Sequence, residues 1–304
     1  MTETPDMSVE VAGLRLKNPV IAASGTFGYG LEFSSLLDLN ELGGLVVKGL
    51  SREPMPGNPP PRLVETPAGL LNSIGLQNVG VDAFIRDKLP RLSKLETAVI
   101  ANVFGNETAD YVDVVRRLEG ADGLAAYELN LSCPNTKHGG IAFGSDPALI
   151  QEVTVAVKEI SRRPVWVKLS PNVTDIRPFA KAAEAGGADA ISLVNTFVGM
   201  QIEDSSGRRT LPGGTGGLSG PAIHSLAVRL VYQAARAVRI PVIGIGGIVC
   251  GPDAAELLRA GAVAVEVGTA NFYDPRATVR IARELEEYCR QTGLRRVAEL
   301  SRPS

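Results

Sequence analysis

Eight short apolar runs, separated by amphipathic stretches, constrain the fold of this chain more than any other feature. Their nearly continuous β-branched, apolar character is typical of strands buried on both faces, as in a parallel sheet. The predicted strands are PVIAAS (19–24), GLVVKG (44–49), AVIANV (98–103), YELNLS (127–132), VWVKLS (165–170), ISLVNT (191–196), VIGIGG (242–247) and VAVEVG (263–268).

The stretches between these runs have the end signals of helices. Asp146 and Pro147 supply an N-cap and a first-turn proline before an apolar stripe. Thr174 is predicted to cap the following helix, and Gly186 to end it in the left-handed conformation.

A sequence pattern that runs from the end of a helix through Gly and Ala into a strand occurs three times. It reads LEGADGLAAYELNL (118–131), EAGGADAISLV (184–194) and LRAGAVAVEV (258–267). Repeated corners of this kind, with eight strands and about eight helices, predict an α/β fold of the (β/α)8 TIM-barrel type, formed as a single domain by residues 1–304. A doubly wound open sheet has the same alternation, and repetition alone does not exclude it.

Two connections are too long to be simple loops, namely residues 50–80 and 197–219. Each follows a predicted strand, and so does the stretch after Cys133. Long insertions without secondary structure are usually functional lids or binding loops. We expect all three at the carboxyl end of the barrel, where active sites of this fold lie.

Composition and charge narrow the classes of function. The 33 acidic and 31 basic residues are mixed along the chain, so no basic stripe indicates a nucleic-acid or membrane partner. The N-terminus lacks a secretory signal, and no apolar run approaches the roughly 20 residues that span a bilayer. Cys133, Cys250 and Cys289 are too widely spaced for a disulfide framework or a metal site within this chain, so we expect a reduced, cytoplasmic protein without a metal.

Polar side chains recur where the predicted strands end. One such residue is ordinarily a solvent-facing start of a loop, but five strands in succession share the feature. Because asparagine both donates and accepts hydrogen bonds, converging amides suit a ligand rich in ring N–H and C=O groups. The residues are Lys48, Asn102, Asn130, Lys168, Asn195 and Thr196.

The last two strands end in glycine instead, in GIGGI (244–248) and GTAN (268–271). Glycine lets backbone N–H groups approach phosphate oxygens, and the loops after strands 7 and 8 form a phosphate site in many barrels. The alternative interpretation is that Gly246 and Gly247 only form a tight turn. Val249 stands where a dinucleotide fingerprint needs its third glycine, so the sequence does not predict NAD bound in the Rossmann manner.

Eight motifs together resemble dihydroorotate dehydrogenase, in order and along almost the entire chain. They are VKGL (47–50), LLNSIGLQN (70–78), ELNLSCPNTKHGG (128–140), WVKLSPNVTDI (166–176), SLVNT (192–196), GGLSGPAI (216–223), IGIGGI (243–248) and VGTANF (267–272). The resemblance implies an FMN-containing barrel that oxidises dihydroorotate to orotate in pyrimidine synthesis.

The resemblance also implies two overlapping sets of ligand-binding residues. The flavin set is Ser24, Lys48, Gly49, Asn102, Asn130, Lys168 and Val194, with the phosphate on Gly220, Gly246, Gly247, Gly268 and Thr269. The substrate set is Lys48, Asn72, Ser73, Ile74, Gly75, Leu76, Asn130, Asn135, Asn195 and Thr196.

Cys133 stands among asparagines and glycines rather than in an apolar run, where free cysteines usually lie. A structural thiol is the alternative to a catalytic one. The resemblance assigns Cys133 as the base that takes a proton while a hydride passes to the flavin, and it is the cysteine of the cytosolic branch, where another branch has serine. Lys48 is the second predicted catalytic residue, and Lys168 is expected near the N1–C2 edge of the flavin. His138, in the same loop, is assigned only a solvent or structural role.

The electron acceptor is predicted from the segment after residue 70. Gln77 stands where the fumarate-reducing subgroup usually has proline, so the chain resembles the NAD-linked subgroup. That subgroup implies a homodimer core joined by two iron–sulfur subunits, which carry FAD and a [2Fe–2S] cluster. The alternatives are a fumarate-reducing homodimer, a Schiff-base aldolase using Lys48 or Lys168, and a barrel that binds flavin or a pyrimidine without turnover.

Overall fold

The computed structural model describes residues 4–131, 134–135 and 141–301. Within these residues, eight parallel strands close into a barrel, each pairing with the next along the chain and the last with the first. The predicted TIM barrel is confirmed, and the open sheet is wrong. The strands are β1 (Val20–Ala22), β2 (Gly44–Val46), β3 (Ala98–Val103), β4 (Ala126–Asn130), β5 (Val165–Lys168), β6 (Ala190–Leu193), β7 (Val242–Ile245) and β8 (Ala264–Val267).

Burial explains the continuous apolar runs. Every residue of β1, β2, β5, β6, β7 and β8 is buried, because one face of each strand fills the barrel and the other packs under helices. Several strands end before the predicted run does. Lys48 therefore lies two residues beyond β2, and Asn195 two residues beyond β6.

Helices cover the outside of the barrel in every connection but the first. There, two short 3-10 helices, Leu31–Phe33 and Leu39–Glu41, stand where the alternation predicted an α-helix. The connection from β2 to β3 holds successive helical turns at Val81–Ala83, Phe84–Lys88 and Leu89–Leu92. The longer helices are α1 (Thr108–Glu119), α2 (Pro147–Lys158), α3 (Arg177–Ala185), α4 (His224–Ala235), α5 (Gly251–Arg259) and α6 (Ala277–Gln291), with a short helix at Ala270–Tyr273.

The predicted start of α2 is confirmed. For α3, the helix ends at Gly186 as predicted, but the Thr174 cap and the left-handed conformation of Gly186 are wrong. Helix α3 begins too late for Thr174 to cap it, and the Asp175 carboxylate instead accepts a hydrogen bond from the Arg177 amide at 3.0 Å. Gly186 has a helical φ of −74°, and Gly187 takes the left-handed conformation at +86°. A carboxylate one residue further along thus supplies the local acceptor that the threonine was expected to provide.

The three repeated corners are confirmed as turns from a helix into a barrel strand. Each contains a glycine in the left-handed region, with φ of +98° at Gly123, +86° at Gly187 and +115° at Gly261. A side chain would be strained in this conformation, so the glycines are needed where the chain reverses.

The sequence predicted that the two long connections have no secondary structure, and this is wrong. Strands from both connections form one four-stranded antiparallel sheet. Its strands lie in the order Phe197–Gly199, Gly216–Ser219, Gly69–Asn72 and Leu63–Thr66. Gly217 pairs with Asn72 across 145 residues of sequence. Pairing over such a distance leaves no local pattern, which is why the sequence predicted loops.

The remaining short elements flank the barrel. Val9–Val11 pairs with Leu14–Leu16, and Pro134–Asn135 pairs with Ile141–Ala142, both antiparallel. Further 3-10 helices lie at Phe143–Ser145, Pro221–Ile223 and Val297–Glu299. In the part of the chain that the structure describes, no helix has the length and apolar character to cross a bilayer.

Candidate active site

The carboxyl ends of the barrel strands open into a cavity of about 310 Å³, a size typical of small-ligand sites. Cys133 and the glycine pair that follows it lie outside the described residues, and Asn135 is described only as part of a short strand. All the other predicted ligand-binding residues line this one cavity. They are Ser24, Lys48, Gly49, Asn72, Ser73, Ile74, Gly75, Leu76, Asn102, Asn130, Lys168, Val194, Asn195, Thr196, Gly220, Gly246, Gly247, Gly268 and Thr269.

Asn130 and Asn195, which both line the cavity, orient each other through a side-chain hydrogen bond. The Asn195 side-chain amide donates to the Asn130 side-chain oxygen at 3.2 Å. The Asn130 carbonyl accepts a hydrogen bond from the Tyr111 hydroxyl at 2.9 Å, which ties the end of β4 to helix α1. Their positions are fixed by the fold, so the amide groups face the cavity without needing a ligand to order them.

Lys48 enters the cavity from the segment after β2. Its backbone N–H donates to the Gly28 carbonyl at 2.8 Å, and its ammonium group lies over Gly25, 3.9 Å from where a Cβ would be. Burial lowers the pKa of Lys48, and the positive charge of Arg62 lowers it further. Lys48 therefore offers a cation whose charge is easily neutralised by a proton acceptor or compensated by an anionic ligand.

Lys168 lies at the floor of the cavity between two buried glutamates. Its Nζ is 3.3 Å from Glu128 Oε1 and 3.3 Å from Glu266 Oε2. Burial alone would lower the pKa of Lys168, but the two carboxylates outweigh it and raise that pKa. Lys168 is therefore held as a cation, the opposite of what a Schiff-base nucleophile requires.

Sequence reasoning missed both glutamates. The signal was present as a single charged letter inside the apolar runs YELNLS and VAVEVG. In a strand, residues two apart share a face, so Glu128 faces the same way as Asn130. The partner that makes its burial tolerable, Lys168, lies 40 residues away.

Glycines form the opposite side of the cavity. Gly220, Gly246 and Gly247 have φ values of +94°, +134° and +69°. A Cβ on Gly247 would lie 2.6 Å from the Cβ of His224, and the His224 Nδ1 donates to the Gly246 carbonyl at 2.9 Å. His224 thus supports this loop. At these glycines the backbone itself is exposed to the cavity, which suits a phosphate group.

The segment from Asn72 to Gln77 closes a further side. Asn72 donates to the Gly217 carbonyl at 3.1 Å. Asn58 donates to the Ser73 carbonyl at 2.9 Å, and Arg62 donates to the Gln77 side chain at 2.5 Å. The insertion therefore carries its own supports for the residues it presents to the cavity.

Several lining residues were not predicted from the sequence. Ser219 accepts a hydrogen bond from Thr269 at 2.7 Å, which joins the second insertion to the end of β8. Phe104 lies beside Gly49, while Val249 and Phe272 are apolar and exposed at the cavity mouth. These side chains have no polar pattern in the sequence, so only the fold places them at the site.

The donor set fits FMN. Glycine backbone at one end suits a phosphate, while two ammonium groups and several amides at the other suit a ring rich in N–H and C=O groups. A Cβ on Gly49 would lie 2.8 Å from Asn102 Oδ1, so this position also needs glycine for the amide to reach the cavity.

Comparison with known proteins identifies the family. The profile described as dihydroorotate dehydrogenase matches residues 6–289. A putative dihydroorotate dehydrogenase A (fumarate) of Solibacter usitatus is 61% identical over 297 residues, 98% of each chain. Dihydroorotate dehydrogenase B (NAD(+)) catalytic subunits of Geobacter sp. strain M21 and Citrifermentans bemidjiense are 55% and 57% identical, over 98% and 94% of each chain. The resemblance read from the sequence is confirmed, and the chain belongs to the dihydroorotate dehydrogenase family.

Proposed function

We propose that this chain is the FMN-containing catalytic subunit of an NAD-linked dihydroorotate dehydrogenase, which oxidises (S)-dihydroorotate to orotate in UMP synthesis. The observation that carries the proposal is that one cavity is lined by the whole predicted flavin set and by the predicted substrate set apart from Asn135. Membership of the family supports assigning the family's reaction to this cavity.

FMN is held, in this proposal, by residues from both sides of the cavity. Gly220, Gly246, Gly247, Gly268 and Thr269 bind its phosphate through backbone and hydroxyl groups. The residues that would hold its ring are Ser24, Lys48, Gly49, Asn102, Asn130, Lys168 and Val194. When bound, FMN supplies the acceptor for the hydride that leaves the substrate.

The substrate would bind in the same cavity, beside FMN. Asn72, Asn130, Asn195 and Thr196, with the segment from Ser73 to Leu76 and Asn135, donate to and accept from its amide groups. Lys48 contributes positive charge next to both ligands. These groups are preorganised by the contacts described above, which lowers the cost of orienting the substrate.

Cys133 is the proposed base. Its thiolate takes a proton from one ring carbon of dihydroorotate as the hydride leaves the neighbouring carbon, so two electrons and two hydrogens leave the substrate and orotate remains. Only the thiolate accepts the proton, and a free thiol with a pKa of about 8.5 is mostly protonated at neutral pH.

The NAD-linked assembly is proposed from the names of relatives and from Gln77. The relatives named catalytic subunits imply a separate partner. We assign that partner the FAD and [2Fe–2S] cluster that this chain would need to pass electrons to NAD, around a homodimeric core in the cytoplasm. Direct fumarate reduction is the second candidate, because a relative at 61% identity carries that name.

The test is a set of steady-state assays on the purified chain, with and without a co-purified partner. A yellow protein that oxidises dihydroorotate and reduces NAD only with the partner is the expected result. Fumarate reduction by the chain alone would make the second candidate correct. A colourless protein trapped with its substrate by borohydride would establish an aldolase, and a yellow protein that binds orotate without turnover would establish a binding role.

A further inference from the structure

The floor of the cavity holds two carboxyl groups and one ammonium group. Glu128 and Glu266 are fully buried and Lys168 is 7% exposed, and in the described part of the chain no other carboxyl or amino side chain is buried to this degree. If all three were charged, the cluster would carry a net negative charge inside the barrel. Burying an uncompensated charge costs several kcal/mol, so a proton is the simplest compensation.

The two glutamates differ in their hydrogen bonds. Glu128 accepts from Asn102 at 2.6 Å, from Ser192 at 2.7 Å and from Lys168. Glu266 accepts from Lys168 through Oε2, while its buried Oε1 has no partner among the described residues. Donors stabilise a carboxylate, and an oxygen without a donor is better suited to carry the proton itself.

The charges at the two groups agree with this difference. Burial raises the pKa of Glu128, but the charge of Lys168 and hydrogen bonds with Glu266, Ser192 and Asn102 outweigh it, so the net direction is down. Burial and the neighbouring negative charge of Glu128 raise the pKa of Glu266 well above its ordinary value. The shared proton is therefore held more tightly by Glu266 than by Glu128, as expected when two carboxyl groups in one site differ in their surroundings.

We propose that Glu266 is a proton-holding positioning residue, whose proton is linked to the charge of the flavin that Lys168 faces. This inference rests on the proposed FMN site and deepens it. Lys168 lines the cavity, whereas Glu266 lies behind Lys168 and is not part of the lining. Glu266 therefore acts only through the cation.

The linkage works in both directions. When Glu266 is protonated, the positive charge of Lys168 is compensated by the negative charge of Glu128 alone, and the cluster is neutral. Without the proton, the cluster carries one negative charge and disfavours a negative ring in the cavity. By reciprocity, negative charge on the ring makes Glu266 hold its proton more tightly.

The ionisable groups around Glu266 are few. Glu128 of β4 and Lys168 of β5 face it across the barrel, and Lys48 lines the same cavity from the segment after β2. The strands that pair with β8, namely β7 and β1, contain no ionisable residue. Among the described residues that line the cavity or form these strands, the ionisable side chains close to Glu266 are therefore those of the cluster and Lys48.

The first experiment is infrared spectroscopy of the FMN-bound protein labelled with carboxyl-13C glutamate. We expect the carbonyl band of a buried protonated carboxylic acid, absent from Glu266→Gln and retained by Glu96→Gln, a control at an exposed glutamate. An unchanged band in Glu266→Gln, or no such band in the wild type, would overturn the proposal. Should Glu266→Gln fail to fold, the absence of the band from the wild type would still overturn the proposal. A colourless protein that shows the band would contradict the FMN site but not the protonated acid.

The second experiment counts the protons taken up per two electrons when bound FMN is reduced, from the dependence of its reduction potential on pH. Above neutral pH the wild type should take up as much as one proton more than Glu266→Gln, and Glu96→Gln should match the wild type. Equal proton uptake by wild type and Glu266→Gln would overturn the linkage. A merely structural glutamate would change stability without changing this stoichiometry.

Discussion

The two sides of the cavity recognise a ligand by different means. On the side of β2 to β6, side chains such as Lys48, Asn130 and Lys168 provide charge and amide groups. On the side of β7 and β8, glycine backbone takes their place. On the first side, removing a side chain should impair ligand binding or reaction. On the second side, adding a side chain should do so.

The largest effect is expected at Cys133, on the side that uses side chains. Cys133→Ala should slow the reduction of bound FMN by dihydroorotate about 10²- to 10⁴-fold, because the proton has no acceptor. Stopped-flow absorbance measures the rate. The wild-type rate should rise as pH rises through the pKa of the thiol. Cys250→Ser is the matched control at another free cysteine, and equal rates in both variants would remove Cys133 as the base.

The next effect is expected at Lys168. Lys168→Met leaves the Glu128 carboxylate buried without its cation, which should lower the free energy of unfolding by about 3–5 kcal/mol. FMN that remains bound should become harder to reduce by at least about 30 mV, or about 1.4 kcal/mol for two electrons. Urea unfolding and spectroelectrochemistry measure the two quantities. An unaltered potential would show that this cation does not act on the ring.

Glycine substitutions examine the other side. Gly247→Ala puts a Cβ against His224 at a φ of +69°, so we expect a loss of about 1–3 kcal/mol in stability even without FMN. Gly268→Ala meets nothing closer than 3.7 Å within the protein. It should leave the FMN-free protein intact and weaken FMN binding about tenfold, or about 1.4 kcal/mol.

Fluorescence titration with FMN and thermal unfolding separate these two effects. Gly120→Ala is the control, because Gly120 ends helix α1 at a helical φ of −75° and its Cβ would meet only the Arg117 carbonyl, at 3.4 Å. If Gly268→Ala bound FMN as well as Gly120→Ala does, the backbone of the β8 loop would not be the phosphate site.

The smallest effect is expected for Lys48 in the FMN-free protein. Its folded-state pKa is lowered, so below the unfolded value of 10.5 the unfolded chain holds more of its proton. Stability should therefore rise with pH over that window, by at most about 1.4 kcal/mol per pH unit. Urea unfolding at about pH 8 and pH 10 should show a smaller rise in Lys48→Met than in the wild type or the exposed control Lys94→Met. Equal rises in all three would show that Lys48 is solvated.

Local patterns predicted the barrel and most of its rim. Strand runs and strand-end residues are local features, and parallel strands bring their carboxyl ends together, so Asn102, Asn130 and Lys168 could be placed at one face from sequence. Glu266 could not, because its burial depends on a lysine 98 residues away. Thr174 failed because the neighbouring Asp175 offers a stronger acceptor to the Arg177 amide. The loop that holds Cys133 lies outside the described residues, so the role of Cys133 remains a prediction.

The sheet that joins the two insertions couples their lengths, both in evolution and in protein engineering. The strand Gly216–Ser219 pairs on one edge with Phe197–Gly199, from the same insertion, and on the other edge with Gly69–Asn72, from the first insertion. Inserting or deleting one residue in either strand would shift every pairing between them and turn cavity-facing side chains outward. Segments from a relative should accordingly be grafted as a matched pair, and lineages that alter the length of one are expected to alter the other in step.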